Sequence, residues 1–500
     1  MKKITLVLSV IALFTSCSNW LDVAPFDSLE KDKIYNSERS ANSALNGIYL
    51  MLADNSLYAK ELSVGFVDVL AQNFTVPTTS GNYEHDYYQF SQYEYNKDRP
   101  KAILEKVFIK AYQAIANCNE FLESVEKSKS VFSTATYNLY MGEAIAIRTL
   151  LHFDMLRVFG PVPADFVKES VPYYNLSTDV PQPILTADAL LDILIADMDK
   201  AIAYLKDDPI LTEGLNGDLE NVNDTDFFRS FRNMHMNYYA ANAVKARMCL
   251  YKGTDESKAA AYTIASRLLE GKDPANQGSS VNFKSVFSFP QNRTTQGSFT
   301  IFYPEILFGI HNTRRPEVHK DLFSADLPSD KLMAGGEKFW DRLYTTGVAG
   351  NDGLGTGLRR NMWTYDGIRG VYLFTRLSPD YTEKSHPYHH QFQCIMRIGE
   401  LYLIAAETAP DTETKRSWIE KMRVGKGYDP GNADSLSDAQ LDEVMEFEFR
   451  KDTYGEGQYF FFAKRRARTN VINQANTTTS MTAGRYVLPL PAAETDYRTK

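Results

Sequence analysis

The chain has 500 residues, of which 44% are hydrophobic and 23% charged, an ordinary globular balance with enough length to bury a large core. Its net charge is −9 and it carries no long Lys/Arg cluster, which argues against nucleic acid, whose binding depends on neutralising phosphates. Aromatic residues make up 13%, with 30 Tyr and 29 Phe, which suits either a ring-rich core or a surface that grips polar ligands through flat faces.

Residues 1–16 read as a secretion signal. Lys2 and Lys3 give a positive start, Ile4 to Phe14 is uncharged, and small Ser16 precedes Cys17. That run is too short to cross a bilayer, which needs roughly 20 apolar residues. The plain alternative is an ordinary signal peptide with an incidental cysteine. The cysteine's place one residue past Ser16 favours lipidation, so Cys17 is the expected anchor and residues 17–36 a lipidated tether.

Helical periodicity begins at Ser37 and runs to about Leu52, with Ala41, Ala44, Leu45, Ile48 and Leu52 on one stripe. Residues 65–100 are dense in Tyr, Asn, Gln, Thr and Ser and are expected to be irregular and partly extended. Arg99-Pro100 opens a long helix to about Glu126, and a second runs from about Ser133 to Phe159, stopped by Gly160-Pro161-Val162-Pro163. Further helices are expected over Ala187–Leu205, Met236–Tyr251 and Ser257–Leu269. Periodicity weakens from Gly271 to about Gln391, with strand-like runs such as Phe299-Thr300-Ile301-Phe302. Helices return at Cys394–Thr408, Glu413–Val424 and Asp438–Phe449. The layout predicts a mainly α fold in which residues 37–500 form one helical domain with loop-rich insertions at about 65–100 and 271–391.

Catalytic signatures are missing from the sequence: no GxSxG, Walker A loop, Rossmann fingerprint, CxxC or HExxH occurs. Gly353-Leu354-Gly355-Thr356-Gly357 lacks the flanking strand and helix of a phosphate cradle and reads as a flexible loop. Asp218, Glu220, Asp224 and Asp226 do not fit a Ca²⁺-loop spacing, so a solvated loop is favoured, with an adventitious Ca²⁺ site as the minor option and no cofactor expected. Cys118, Cys249 and Cys394 are widely spaced within apolar patterns and read as buried free thiols. Loop aromatics are more suggestive, because sugar rings stack their C–H faces on aromatic rings. The candidate ligand contacts are Tyr83, Tyr87 and Tyr88 in one loop, and Trp340, Tyr344, Trp363 and Tyr365 in the other, with core packing as the plain alternative for each. Arg148, Arg397, Glu400, Glu407 and Glu448 sit among apolar helix faces, where a charge needs a partner, so they are expected to form buried ion pairs that lock helices together.

Several of these segments, in register, resemble the SusD/RagB family. Glu448 to Arg465 (EFRKDTYGEGQYFFFAKR) is similar to the family's signature helix, in which an E-R-x-x-E-like turn leads through E-G to aromatics and a basic residue. Leu21-Asp22 and Pro25 follow the cysteine, and Ala44 to Tyr49 (ALNGIY) resembles the A-x-N-G-x-Y of the first helix. Glu143 to Pro163 (EAIAIRTLLHFDMLRVFGPVP), Arg397 to Glu407 (RIGELYLIAAE) and Val487 to Pro491 (VLPLP) resemble further family elements. Phe449 and Thr453 depart from the usual Arg and Leu.

The resemblance implies TPR-like helical pairs supporting a loop-rich, ligand-facing region. It implies a non-catalytic outer-membrane lipoprotein, facing the exterior, that captures oligosaccharides or, in some members, peptides. It further implies delivery of that ligand to a SusC-like TonB-dependent transporter. A transporter scaffold subunit and a surface glycosidase are the competing readings, the second requiring two carboxylates facing across a cleft.

Overall fold

A computed structural model describes residues 35–78, 84–215, 228–276, 278–289, 302–346, 358–379 and 391–498. Cys17, the signal and tether segments, Tyr83, the acidic loop at 218–226 and the glycine-rich loop at 353–357 lie outside these residues.

Numbering the helices of seven residues or more, the chain forms α1 (Glu38–Leu52), α2 (Asp98–Lys127), α3 (Thr134–Phe159), α4 (Ala187–Tyr204), α5 (Tyr238–Lys252) and α6 (Asp255–Glu270). It continues with α7 (Arg315–Leu322), α8 (Ile398–Glu407), α9 (Thr412–Gly425), α10 (Asp438–Thr453), α11 (Tyr459–Arg465) and α12 (Ala492–Arg498). Local chemistry sets many of the starts. Ser133 accepts from the Thr136 amide at 3.1 Å, Asn237 from Ala240 at 2.9 Å and Asp411 from Thr414 at 2.7 Å, and Ser437 with Gln440 forms a full capping box. Gly253 and Gly271 close α5 and α6 with φ of 77° and 76°, a left-handed turn that strains other residues.

Consecutive helices pack against one another as α2 on α3, α3 on α4, α5 on α6 and α8 on α9, with α4–α5 and α6–α8 contacts joining the pairs. The result is a mainly helical, TPR-like array. One continuous set of buried side chains runs through it from Tyr35 to Leu488. The second long helix is buried on every side: each residue of α3 from Leu139 to Phe159 is inside, because α2, α4 and a short strand enclose it. Its polar residues are therefore paired, as with Glu143 to Arg232 at 2.6 Å.

The strands are short: β1 (Glu169–Pro172), β2 (Ile184–Thr186), β3 (Ile306–His311), β4 (Gly335–Gly336), β5 (Trp363–Asp366), β6 (Val371–Phe374), β7 (Phe392–Arg397), β8 (Asn470–Ile472) and β9 (Thr478–Ser480). They form antiparallel pairs β1–β2, β3–β7 and β8–β9, and a three-stranded sheet in the order β4-β6-β5.

Two local expectations need correcting. Cys394 lies in strand β7, not at a helix start, because the short run Phe392–Arg397 pairs with β3, Gly309 opposite Cys394. Residues 66–70 are a buried helical turn, with Phe66, Val67, Val69 and Leu70 at most 1% exposed, so the stretch after Gly65 begins as core. Its apolar sequence FVDVL, read alone, is too short to show a period.

Candidate functional site

Around the C-terminal signature segment lies a buried network of opposite charges. Arg397, at the end of β7, meets Glu305 at 3.3 Å, Asp452 at 3.3 Å and Glu456 at 3.0 Å. Lys426 joins Glu305 and Asp452 at 2.5 and 2.9 Å. Glu448 binds Arg359, Lys451 at 2.7 Å and the Tyr428 hydroxyl at 3.0 Å. Burial pushes the Glu448 carboxyl upward, but Arg359 and then Lys451 outweigh it and hold it down at about 2. The glycine in Arg397-Ile398-Gly399-Glu400 has a steric reason, since a Cβ at Gly399 would sit 2.0 Å from an Asp452 oxygen.

The other charged residues singled out by sequence also meet opposite charges. Arg148 lies 3.2 Å from Asp197, Glu400 lies 2.6 Å from Arg247, and Glu407 lies 2.6 Å from Arg465. Glu305, Lys426, Asp452 and Arg359 were not anticipated. The only signal for Asp452 was its place in the signature helix; nothing local marked the others.

The candidate aromatics divide by exposure. Tyr87 is 2% exposed, and its hydroxyl donates to Glu61 at 2.9 Å. Tyr344 is 1% exposed and accepts from the Trp363 ring nitrogen at 3.3 Å, while Trp363, itself buried, meets Tyr454 edge-on. All three rings are buried, Tyr87 lying on the lining of a groove beside α2 with the Lys60 ammonium 5.9 Å from its ring. Tyr88 is half-buried at the start of a short helix.

The remaining rings form a ledge on the β4-β6-β5 sheet. Trp340 stacks on Tyr372 with centroids 3.9 Å apart and planes 9° apart, and Tyr372 meets Tyr365 at 5.0 Å. The Arg360 guanidinium sits 4.9 Å from the Trp340 ring. Trp340 is buried, Tyr372 is half-buried, and Tyr365 is 47% exposed with its hydroxyl donating to Glu337 at 3.1 Å. Of the second-loop rings singled out by sequence, Tyr365 is the exposed one, with Tyr372 and then Trp340 packed behind it.

Beside the ledge runs a groove of about 660 Å³ between α2 and α7. Lys60 with Glu61, Asp86 with Arg99, and Lys106 line it from α2 and the segments before it, Glu317 and Asp321 from α7 and Lys331 from the segment after α7, and Ile103, Val318 and Leu322 give it apolar surface. Ledge and groove are physically joined. Arg369, in the β5–β6 turn, donates to the carbonyls of Ala325 at 2.8 Å and Leu327 at 3.0 Å, and Leu327 lines the groove.

Among the described residues, no group of three or more His, Cys, Asp or Glu side chains is placed to hold a metal, and no helix is long and apolar enough to cross a membrane. Cys118, Cys249 and Cys394 are buried and unpaired, and burial pushes the Cys118 thiol up to about 12.

Fold and site together define a mainly helical, TPR-like scaffold that presents an aromatic ledge and a polar groove. Comparison with known proteins finds the similarities of this scaffold among SusD-like proteins. Residues 19–213 match a SusD-like family described as starch-binding and associating with the outer membrane. The SusD-like protein P38 of Formosa agariphila is 23% identical over 211 residues, which cover 39% of this chain and 36% of that relative. A SusD superfamily protein of Bacteroides thetaiotaomicron superposes with a TM-score of 0.69 at 19% identity, covering 92% of this chain and 98% of the other. A SusD-like carbohydrate binding protein of Bacteroides vulgatus gives 0.66 at 14% identity, covering 93% and 97%. The fold of the chain is therefore that of the SusD superfamily.

Proposed function

We propose that the protein is a non-catalytic capture protein for oligosaccharide or polysaccharide nutrients. In this reading it is held to the outer membrane, on its exterior face, by lipid on Cys17 and passes its ligand to a SusC-like TonB-dependent transporter. The observation that carries the reading is the ledge: a Trp340–Tyr372–Tyr365 array that ends in an exposed ring, flanked by Glu337 and Arg360. A flat ring with polar groups at its edge is suited to a sugar, whose C–H face stacks while its hydroxyls pair with the charged groups. The description of the matched family and the name of the Bacteroides vulgatus neighbour support the same ligand class. A hydrolase would need two carboxylates facing across a cleft. Of the four carboxylates that line the groove among the described residues, Glu317 and Asp321 stand one turn apart on one helix, while Glu61 and Asp86 are paired with Lys60 and Arg99.

Titration of the protein against a panel of polysaccharides and peptides, with Tyr365→Ala alongside, tests this. Binding of at least one glycan that Tyr365→Ala weakens, with no reducing sugar released, is the expected result. Absence of binding to every glycan, or glycan cleavage by the purified protein, would overturn it. Recovery of a barrel partner by pull-down, and of an acylated Cys17 by mass spectrometry, tests the delivery and anchoring steps separately.

A further inference from the structure

The groove beside the ledge carries an arrangement of charge that a neutral sugar would leave unused. Its basic wall comes from α2 and the segment before it. There, Lys60 pairs with Glu61 at 3.0 Å and Arg99 with Asp86 at 3.6 Å, whereas Lys106 is exposed and makes no ion pair among the described residues. Its acidic wall comes from α7, where Glu317 and Asp321 are four residues apart on one helix face, both exposed and both without an ion pair among the described residues. Like charges at that spacing repel, so each would gain from a cation between them. The Asn55 carboxamide oxygen, also on the groove, is buried and accepts no hydrogen bond among the described residues. His85, also on the groove, accepts the Tyr87 amide at its Nδ1, and burial lowers its basicity.

Carboxylates on α7 and a lysine on α2, unpaired among the described residues and lining one groove of about 660 Å³, suit a ligand that is itself dipolar. The geometry points to this groove as a subsite for a glycan unit that bears both a carboxylate and a free amine, such as a uronate beside an unacetylated hexosamine. The carboxylate would face Lys106, with Arg99 beyond it, and the ammonium would face Glu317 and Asp321, with the Asn55 oxygen as a further acceptor. The inference rests on the glycan-capture reading, and the Arg369 hydrogen bonds tie the turn of the ledge sheet to the Ala325–Leu327 segment at the groove. Neutral glycans would bind on the ledge alone.

Calorimetric titration of the full chain with three probes tests it: an oligosaccharide alternating uronate and free-amine hexosamine, the same oligosaccharide N-acetylated, and a neutral gluco-oligosaccharide. The free-amine form is expected to bind at least tenfold more tightly than the acetylated form at low salt, with the difference shrinking as salt rises. Glu317→Gln with Asp321→Asn should erase that difference, and Lys106→Gln should weaken both uronate-bearing probes. These side chains are exposed, so the variants are expected to fold, and circular dichroism checks that they do. Equal affinity for the amine and acetylated forms, or a preference that survives Glu317→Gln with Asp321→Asn, overturns the inference. So does binding of an oligopeptide of matched charge and length when the free-amine glycan does not bind. If the neutral glycan binds without any charge preference, or none of the three binds while another glycan of the panel does, capture stands and this inference alone falls; if no glycan of the panel binds, both fall.

Discussion

Glu448→Gln isolates what the buried network contributes. The substitution keeps the side chain's shape and removes its charge, leaving Arg359 and Lys451 buried without their common anion. Removing one partner from a buried pair costs roughly 3–5 kcal/mol. The carboxyl's own titration gives a similar figure. Held at about 2, it lies roughly two and a half units below an ordinary glutamate at 4.5, which corresponds to about 3 kcal/mol at 1.36 kcal/mol per unit. Because the folded value is depressed, that stabilisation is fully present above about pH 4.5 and is lost as pH falls toward 2. With an unfolding entropy of about 2 cal/mol/K per residue, a loss of this size lowers Tm by only about 3–5 °C in a chain of this length. Differential scanning calorimetry of the wild type and Glu448→Gln from pH 7 down to pH 3 reads both quantities. The gap between the two proteins should be widest at neutral pH and narrow through pH 4. A variant as stable as wild type at pH 7, or a gap that does not change down to pH 3, would refute the reasoning.

Gly399→Ala should destabilise the fold by pushing Asp452 off Arg397 and Lys426, read as a lower Tm with the aromatic ledge unchanged in ligand titrations. Lys464 donates to the carbonyls of Arg157 and Gly160; burial, and then the Arg157 charge, lowers its ammonium to about 7. The folded state then holds fewer protons than the unfolded one between about pH 7 and 10, so wild type should gain stability relative to Lys464→Met over that range in paired denaturant melts. Tyr365→Ala should weaken glycan binding about tenfold while leaving Tm within about 1 °C, since exposed rings away from the core contribute little to folding. Trp340→Ala should lower both, as it removes a buried ring worth roughly 3–5 kcal/mol as well as the backing of the ledge.

The helices were legible because their signals are local. Ser133, Asn237 and Asp411 stand where a cap must be, and Gly160-Pro161 stops α3 within the sequence that forms it. The charges of the network were legible only as isolated anomalies. Arg397 and Glu448 stood out as ions on apolar faces, but Glu305 lies 92 residues from Arg397, and no spacing rule joins them. Trp363 and Tyr365 show the limit for aromatics. They are two residues apart on one strand and share a face, yet Trp363 packs against Phe374 and Tyr454 while Tyr365, farther along the strand opposite Tyr372, is exposed, a difference set by what covers each end of that face. The groove could not be read at all, because Lys106 and Glu317 line it from helices α2 and α7, with four numbered helices between them in the chain.

Glycan capture at the ledge is the central claim, and direct titration of the full chain against a polysaccharide panel, with Tyr365→Ala in parallel, tests it most directly. The account predicts saturable binding of at least one glycan by the wild type and a loss of about tenfold in the variant. No glycan binding, or binding that Tyr365→Ala leaves intact, would contradict it.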